Sequence, residues 1–248
     1  MIAVILVAGR STRMGDLTAE VHKSLLTVGD RPILSRLLIA LDDNAIRRVI
    51  FVGGSMQEQL EDFVRTHHGN FEVSWVRNED YATTNTAYSV MLTDEAMGRD
   101  HDMLLINGDV VLDARAIART LNGRGAHETV SVLATRFSGV ADEEVKVLVN
   151  DGRITEIGKH IDPQRAAGES VGINLIARQQ LDALYSTLRN RIETGDGRSE
   201  YYEHAFNQMV TEGIHFRTAD VTDLPVMEVD TPDDYSAVKQ ELAPRLFG

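Results

Sequence analysis

The chain has 248 residues, of which 43% are hydrophobic and 25% are charged, so it can fold as a globular protein with a sizeable core. Its net charge of −13 and its lack of a long basic run exclude a typical nucleic-acid-binding surface, and no apolar run of about 18 residues indicates a membrane span. The absence of cysteine excludes disulfides, thiolate catalysis and thiolate zinc sites. Because no signal segment precedes the first apolar run, we expect a cytoplasmic protein without nucleic-acid or membrane partners.

The first half of the chain alternates apolar runs with amphipathic segments. The predicted strands are 2–7, 48–52, 71–76 and 102–107, and the predicted helices begin at Pro32 and cover 56–66. This alternation continues through residue 122 and predicts an α/β fold with a doubly wound, mostly parallel mixed sheet.

The second half is richer in strands. The predicted strands are 129–135, 145–150, 153–158, 171–177, 214–219 and 226–229, and the predicted helices are 179–190, 201–211 and one from Pro232. The segment 150–153, Asn-Asp-Gly-Arg, predicts a hairpin turn. We therefore expect one domain, 1–248, with a first half at 1–125 and a small β-rich lobe at 126–248.

The turn after the first strand has the composition of an anion-binding loop. Small, hydroxyl and basic side chains follow one another there, with a further cation downstream: Ala8, Gly9, Ser11, Thr12, Arg13 and then Lys23. The glycines at 9 and 15 fit neither the dinucleotide fingerprint nor the P-loop pattern. We therefore predict that this loop binds the phosphates of a free nucleotide.

Two aspartates follow predicted strands that are far apart in the sequence. Asp109 comes directly after the run 103–106, at the strand end where open α/β sheets bind ligands, and Asp230 comes after the run 226–229. Carboxylates from two strands suit Mg²⁺, which is a small, hard cation. For Asp230, capping of the helix that opens at Pro232 is the alternative explanation.

The loop resembles the signature of the nucleotidyltransferase family, L-x-A-G-x-[GS]-x-R-M-G followed by a lysine, and the segment E-V-D-T-P-x-D resembles the family's second metal segment. The resemblance implies a Rossmann-like, sugar-nucleotidyltransferase-like fold. It also implies an Mg²⁺-dependent enzyme that joins a nucleotide to a phosphorylated acceptor and releases pyrophosphate. In that enzyme Arg13 and Lys23 are the catalytic cations, and Asp109 and Asp230 hold the metal. Ser11 stands where many relatives have glycine, so the loop does not fix the nucleotide base.

Shorter motifs resemble the branch of the family that makes CDP-choline or CMP-phosphonates. They are N-T-x-Y-S from Asn85, G-E-S-V-G at 168–172, and Tyr201-Tyr202-Glu203 with Asn207, while Gly158-Lys159 resembles enzymes acting on inositol phosphate. The resemblance implies nucleotide contacts by Thr84, Asn85 and Asp109 and acceptor contacts by Lys146, Lys159, Glu169, Tyr201, Tyr202 and Glu203. Helix capping, surface exposure of the lysines and core packing of the tyrosines are the alternatives.

The leading hypothesis is a cytidylyltransferase that uses CTP and a small acceptor such as phosphocholine, 2-aminoethylphosphonate or a hydroxyalkylphosphonate. The aromatic and carboxylate side chains of the segments that the resemblance assigns to the acceptor, Glu169, Tyr201, Tyr202 and Glu203, favour a cationic acceptor head. A sugar-1-phosphate or inositol-phosphate nucleotidyltransferase and a non-catalytic nucleotide-sensing module are the alternatives. Because a phosphate oxygen is already ionised, no general base is needed, and we interpret His22, His101 and His160 as solvated loop residues. The oligomeric state, a homodimer included, stays open.

Overall fold

The computed structural model describes residues 1–247 and places apolar segments from both halves of the sequence in one mixed sheet. The strands are β1 (Ile2–Leu6), β2 (Thr27–Val28), β3 (Arg31–Pro32), β4 (Arg48–Gly53), β5 (Glu72–Arg77), β6 (Met103–Asn107), β7 (Val110–Leu112), β8 (Ser131–Arg136), β9 (Lys146–Asn150), β10 (Arg153–Gly158), β11 (Gly168–Ile176), β12 (Phe216–Asp220) and β13 (Val226–Glu228). The α-helices are α1 (Ile33–Asp43), α2 (Gln57–His67), α3 (Thr86–Met91), α4 (Asp94–Met97), α5 (Ala114–Asn122), α6 (Leu181–Thr194), α7 (Glu203–Thr211), α8 (Pro232–Ala237) and α9 (Ala243–Phe247). Within residues 1–247, no helix combines the length and the apolar character of a membrane span.

The large sheet has nine strands in the order β5-β4-β1-β6-β11-β8-β12-β10-β9. The first four of these strands are parallel, whereas β11 runs antiparallel to both β6 and β8. The last strand in the order, β9, also pairs with the first residues of β11, so this part of the sheet curves back on itself. The predicted fold class, an α/β fold with a mixed sheet and a β-rich second half, is confirmed.

Helices cover both faces of the sheet because its central strands are apolar on both sides. In β1, Ala3 and Ile5 lie in a buried cluster with residues of α1, α2 and α5. Ile2 and Val4 lie in a second cluster with residues of α3, α6 and α7. This burial on two faces explains why the strand appears in the sequence as a continuous apolar run.

Two turns show how local sequence sets the strand ends. The β9–β10 hairpin turns at Asp151 and Gly152, whose φ angles of 49° and 73° suit a type I′ turn, so the predicted hairpin is confirmed. β12 begins later than predicted, at Phe216, because the N–H of Ile214 donates to the carbonyl oxygen of Met209 at 2.9 Å and so closes the end of α7.

A short antiparallel ribbon of β7 and β13 brings a late segment of the chain to the carboxyl end of β6. The N–H of Val229 donates to the carbonyl oxygen of Asp109 at 3.1 Å, which fixes the two segments together. Since β1 and β6 are adjacent and parallel, their carboxyl ends lie at the same edge of the sheet. Three segments therefore meet at one place, the loop after β1, the turn after β6 and the segment after β13.

A 3₁₀ turn, Lys23–Leu25, is held across the ends of β1 and β6 by its flanking side chains. His22 is only 5% exposed, and its Nδ1 accepts from the N–H of Ser24, so Nε2 carries the proton and donates to the carbonyl oxygen of Val7 at 3.0 Å. Ser24 Oγ donates to the carbonyl oxygen of Gly108 at 2.7 Å. The interpretation of His22 as a solvated loop residue is wrong, because the carbonyl group at the end of β1 gives the imidazole a buried partner.

We expect His22 to make the stability of the protein depend on pH. Burial lowers the pKa of His22 from its ordinary value of 6.5 to about 4, so the folded state keeps the imidazole neutral while the unfolded chain protonates it. The stabilising contribution is complete above pH 6.5 and is lost as the pH falls towards 4. The free energy of unfolding should therefore fall by about 2 kcal/mol between pH 7 and pH 5 through this residue.

Urea unfolding of the wild type and of His22→Asn at the two pH values measures this contribution. The wild type should lose more stability at pH 5 than the variant does, whereas His67→Asn, which changes an exposed histidine, should behave like the wild type. Equal pH dependence in the wild type and His22→Asn would contradict the assignment.

Candidate active site

A polar cleft of about 530 Å³ opens at the sheet edge where β1 and β6 end. Most of the residues that the sequence predicts for the site lie in its wall: Ala8, Gly9, Ser11, Thr12, Arg13, Lys23, Thr84, Asn85, Asp109, Lys159, Tyr201, Tyr202, Glu203 and Asp230. The first half of the chain contributes the loop after β1 and the start of α3. The second half contributes the segments around β11, the start of α7 and the residues after β13.

Two of the predicted acceptor residues, Lys146 and Glu169, lie away from the cleft. Lys146 is 1% exposed, and its Nζ donates to the carbonyl oxygens of Asp142 at 2.7 Å and Glu144 at 3.1 Å. Glu169 is buried beside it in the sheet and accepts from Arg136 Nε at 2.6 Å. The structure gives both side chains partners within the protein, although Glu169 Oε2 has none, and the acceptor contacts of these two residues stay predictions.

The loop after β1 leaves polar backbone groups open to the cleft. Among the described residues, none accepts a hydrogen bond from the backbone N–H of Gly9, Arg10 or Ser11. Ser11 has a left-handed backbone, with φ of 52°, and its carbonyl oxygen accepts from the N–H of Met14. A Cβ atom at Gly9 would meet no protein atom within 4 Å, so packing does not require a glycine there. The open space beside this residue belongs to the cleft.

Thr84 and Asn85 combine a place in the cleft wall with a local structural role. Asn85 is the N-cap of α3, because its Oδ1 accepts from the N–H of Thr86 at 2.8 Å. Thr84 Oγ1 donates to the carbonyl oxygen of Asp80 and accepts from Asn78 Nδ2. The capping alternative therefore holds for Asn85, and the nucleotide contacts of both residues stay predictions.

Four charged side chains meet at the floor of the cleft. Lys23 Nζ lies 2.7 Å from Asp109 Oδ2 and 2.9 Å from Asp230 Oδ1, and Arg13 Nη2 lies 2.9 Å from Asp230 Oδ2. Burial alone would lower the pKa of Lys23, but the two carboxylates outweigh it and raise this pKa above its ordinary value. Burial likewise opposes ionisation of Asp230, yet Lys23 and Arg13 lower its pKa. Lys23 and Asp230 are therefore charged at neutral pH.

The helix-capping alternative for Asp230 is wrong. Thr231 is the N-cap of α8, and its Oγ1 accepts from the N–H of Asp234, while the Asp234 carboxylate accepts in return from the N–H of Thr231. The carboxylate of Asp230 therefore does not cap the helix and pairs with Lys23 and Arg13 instead.

The donor set at this place fits a hard divalent cation. Asp109 Oδ1 is buried and has no hydrogen-bond partner. Asp109 Oδ2 and Asp230 Oδ1 both accept a hydrogen bond from Lys23 Nζ. Within residues 1–247, no group of three or more acidic, histidine or cysteine side chains is arranged to hold a metal ion. Mg²⁺ would therefore take further ligands from phosphate oxygens and water, as it does in many phosphoryl-transfer sites.

Sequence reasoning missed a further carboxylate in the cleft, Glu228. Asn107 Nδ2 donates to Glu228 Oε1 at 2.8 Å. Burial, and then the neighbouring Asp109 carboxylate, raise the pKa of Glu228 well above its ordinary value. Gly172, with φ of 69°, makes room for it, because a Cβ atom there would lie 2.3 Å from Glu228 Oε1. The signal was present in the sequence, since Glu228 and Asp230 are separated by one residue in an extended segment and so point to the same side.

The opposite end of the cleft is formed by the start of α7. Tyr201 is 38% exposed, and Lys159 Nζ lies 4.8 Å from the centre of its ring. Glu203 is 7% exposed, its Oε2 has no hydrogen-bond partner, and burial raises its pKa to about 7. Tyr202 packs in the core instead, and its hydroxyl donates to Asn107 Oδ1 at 3.2 Å. Through this hydrogen bond Tyr202 positions Asn107, which in turn contacts Glu228.

Known proteins similar to this chain include nucleotidyltransferases. The choline-phosphate cytidylyltransferase of Haemophilus influenzae is 27% identical over 247 residues, which cover 98% of this chain and 98% of that enzyme. The CMP-5'-(3-aminopropyl)phosphonate synthase of Streptomyces rubellomurinus is 28% identical over 241 residues, which cover 94% of this chain but 37% of that enzyme.

The fold is also that of solved nucleotidyltransferase structures. The inositol-1-phosphate CTP transferase from T. maritima superposes with a TM-score of 0.78 at 22% identity and covers 97% of both chains. The profile of the MobA-like NTP transferase domain matches residues 3–191, which is more than half of the sequence. The chain therefore belongs to the family of MobA-like NTP transferase domains, as the motif after the first strand implied.

Proposed function

We propose that this nucleotidyltransferase transfers CMP from CTP to a small phosphomonoester or phosphonate and releases pyrophosphate, with Mg²⁺ as its cofactor. The strongest support is the meeting of Asp109, Asp230 and Lys23 beside a loop whose backbone N–H groups are open to the cleft. The names of the Haemophilus and Streptomyces relatives favour a cytidylyl group and a small acceptor.

In this proposal each half of the chain binds one of the two substrates. Residues 1–125 hold the nucleotide through the loop after β1 and through Thr84 and Asn85, because hydroxyl and backbone donors suit phosphate and sugar oxygens. Residues 126–248 hold the acceptor through Lys159, Tyr201 and Glu203.

The reaction needs charge neutralisation and alignment more than covalent help from the protein. An acceptor oxygen attacks the α-phosphorus, a new P–O bond forms, the bond to the β-phosphate oxygen breaks, and pyrophosphate leaves. Arg13 and Lys23 neutralise the departing phosphates. Mg²⁺, when bound by Asp109 and Asp230, supplies positive charge to the reacting phosphate oxygens. His22 has no part in proton transfer, since both of its ring nitrogens are engaged within the protein.

The acceptor in this proposal carries a cationic head. Glu203 and Glu228 are carboxylates of the cleft wall, and Glu203 Oε2 has no partner within the protein. Lys159 Nζ lies 4.8 Å from the centre of the Tyr201 ring, so the cationic head of the acceptor would contact the other face of this ring or displace the ammonium of Lys159. An aminoalkyl or choline-like phosphate or phosphonate would place its anionic end at the floor cations and its positive end at these groups.

A screen for pyrophosphate release tests the proposed function. CTP, UTP, GTP and ATP are each combined with phosphocholine, 2-aminoethylphosphonate, 2-hydroxyethylphosphonate, inositol phosphate and glucose 1-phosphate in the presence of Mg²⁺. We expect CTP with a cationic acceptor to give the highest kcat/KM. Preference for inositol phosphate or a sugar phosphate would reject the proposed acceptor class, a small phosphate or phosphonate with a cationic head. Nucleotide binding without turnover on any acceptor would favour a non-catalytic nucleotide-sensing module.

Asp109→Asn should abolish most turnover and leave the fold intact, because it removes an anionic ligand and keeps the side-chain shape. We expect kcat to fall at least a hundredfold, or about 3 kcal/mol of activation free energy. The matched control is Asp113→Asn, which changes the N-cap of α5 outside the cleft and keeps a capping side chain. Turnover of Asp109→Asn close to that of Asp113→Asn at saturating Mg²⁺ would exclude a metal role for Asp109.

The cationic-head proposal predicts a pH dependence that separates two acceptors of similar size. Because the pKa of Glu203 is raised to about 7, its carboxyl becomes ionised between pH 6 and pH 8, while the acceptor amine stays protonated. The kcat/KM ratio of 2-aminoethylphosphonate to 2-hydroxyethylphosphonate should rise with pH, by up to roughly tenfold. Because its ammonium group lowers the phosphonate pKa of the amino compound, the two phosphonates titrate differently, but this difference is the same for the wild type and for a Glu203 variant.

In Glu203→Gln the same ratio should be lower and should lack the rise with pH that ionisation of Glu203 gives the wild type. A tenfold or greater preference of the wild type for the hydroxy compound would reject the cationic head and leave the cytidylyltransferase proposal standing.

A further inference from the structure

Lys23 is unusual among the four lysines of the chain because its ammonium group is shared by two carboxylates. It is 9% exposed, and the 3₁₀ turn that carries it is fixed on both sides, by His22 at the end of β1 and by Ser24 at the turn after β6. The backbone of Lys23 is thus held in place, whereas its long side chain can change direction through rotation about its own bonds.

The position of Nζ conflicts with binding of a second cation. Asp109 Oδ2 and Asp230 Oδ1 both point at Nζ, at 2.7 Å and 2.9 Å. A divalent ion shared by these oxygens would have to lie in nearly the same place, and two positive charges at such a short distance repel each other strongly in a half-buried site. Metal binding therefore requires Nζ to leave the carboxylates.

We propose that Lys23 acts as a built-in counter-ion that occupies the metal position of the nucleotide-free protein and moves to the phosphates when the nucleotide binds. This inference rests on the proposed function, since it takes Asp109 and Asp230 as the metal ligands. The metal and the nucleotide then bind cooperatively, and the nucleotide-free protein has low affinity for the metal alone.

The loop after β1 gives Nζ an alternative partner. This loop and Lys23 line the same cleft, and the backbone N–H groups of two lining residues, Gly9 and Ser11, have no acceptor among the described residues, so they can donate to phosphate oxygens there. When phosphates bind, the ammonium exchanges carboxylate oxygens for phosphate oxygens and keeps its charge balanced. Because the coupling is thermodynamic, each ligand must strengthen the binding of the other by the same factor.

Metal binding to the nucleotide-free protein tests the proposal directly. Free Mn²⁺, a substitute for Mg²⁺, is measured by electron paramagnetic resonance in titrations of the wild type and of Lys23→Met, which keeps the length of the side chain and removes its charge. We expect the Kd for Mn²⁺ to be at least tenfold lower in Lys23→Met, which corresponds to about 1.4 kcal/mol. The matched control is Lys159→Met, which removes another cleft lysine whose Nζ lies over the Tyr201 ring, and its Kd should equal that of the wild type.

Removal of the ammonium leaves two carboxylates without their shared cation, so folding of the variant needs its own measurement. Lys23→Gln serves as a second neutral variant, and the rise in melting temperature on addition of Mn²⁺ serves as a second measure of binding. Both neutral variants should show a larger rise than the wild type.

The outcomes separate this inference from the proposed function. If the wild type binds Mn²⁺ as tightly as Lys23→Met, or if neither binds it, the counter-ion proposal is wrong, whether or not CTP turnover is observed. If the wild type releases no pyrophosphate with any acceptor and Lys23→Met still gains affinity for Mn²⁺, the proposed function fails and the counter-ion role of Lys23 stands.

Discussion

Two carboxylates can lie together in a half-buried cleft only if positive charge lies close to both, because burial removes the water that would otherwise stabilise them. In this protein the positive charge comes from Lys23, with Arg13 on the outer side of Asp230. The ion pairs of Lys23 and Arg13 with the two carboxylates link the turn after His22, the turn after β6 and the segment after β13. Segments that are far apart in the sequence are thereby held at one place, and the rest of the cleft is arranged around them.

The two ends of the cleft differ in how their carboxylates are paired. At the floor the carboxylates are neutralised by Lys23 and Arg13, whereas at the other end Glu203 is buried with one oxygen that has no partner. Glu228 lies between them, and its nearest polar partner is the neutral amide of Asn107. In the proposed function, Glu203 is the group that would attract a cationic acceptor head, and a neutral polyol would gain no such contact.

Local sequence predicted the parts of the site that depend on strand ends. Asp109 and the loop after β1 follow apolar runs, and parallel strands bring such ends to one edge of a sheet. The side chains of Lys146 and Glu169 were not predictable in this way, because alternation along a strand gives two faces and does not tell which of them reaches a cleft. That choice depends on how β9 and β11 pair in the curved part of the sheet. His22 was missed because its burial depends on a carbonyl group that only the folded chain brings close.

The order of strands in the sheet also has a consequence for the synthesis of the protein. β12 lies between β8 and β10, although both precede it in the chain, so a nascent chain that has not reached residues 216–220 leaves these two strands without the neighbour that joins them. Exposed strand edges of this kind favour pairing with other chains. Since Asp230 follows later still, its ion pairs with Lys23 and Arg13 can form only after residue 230 has left the ribosome.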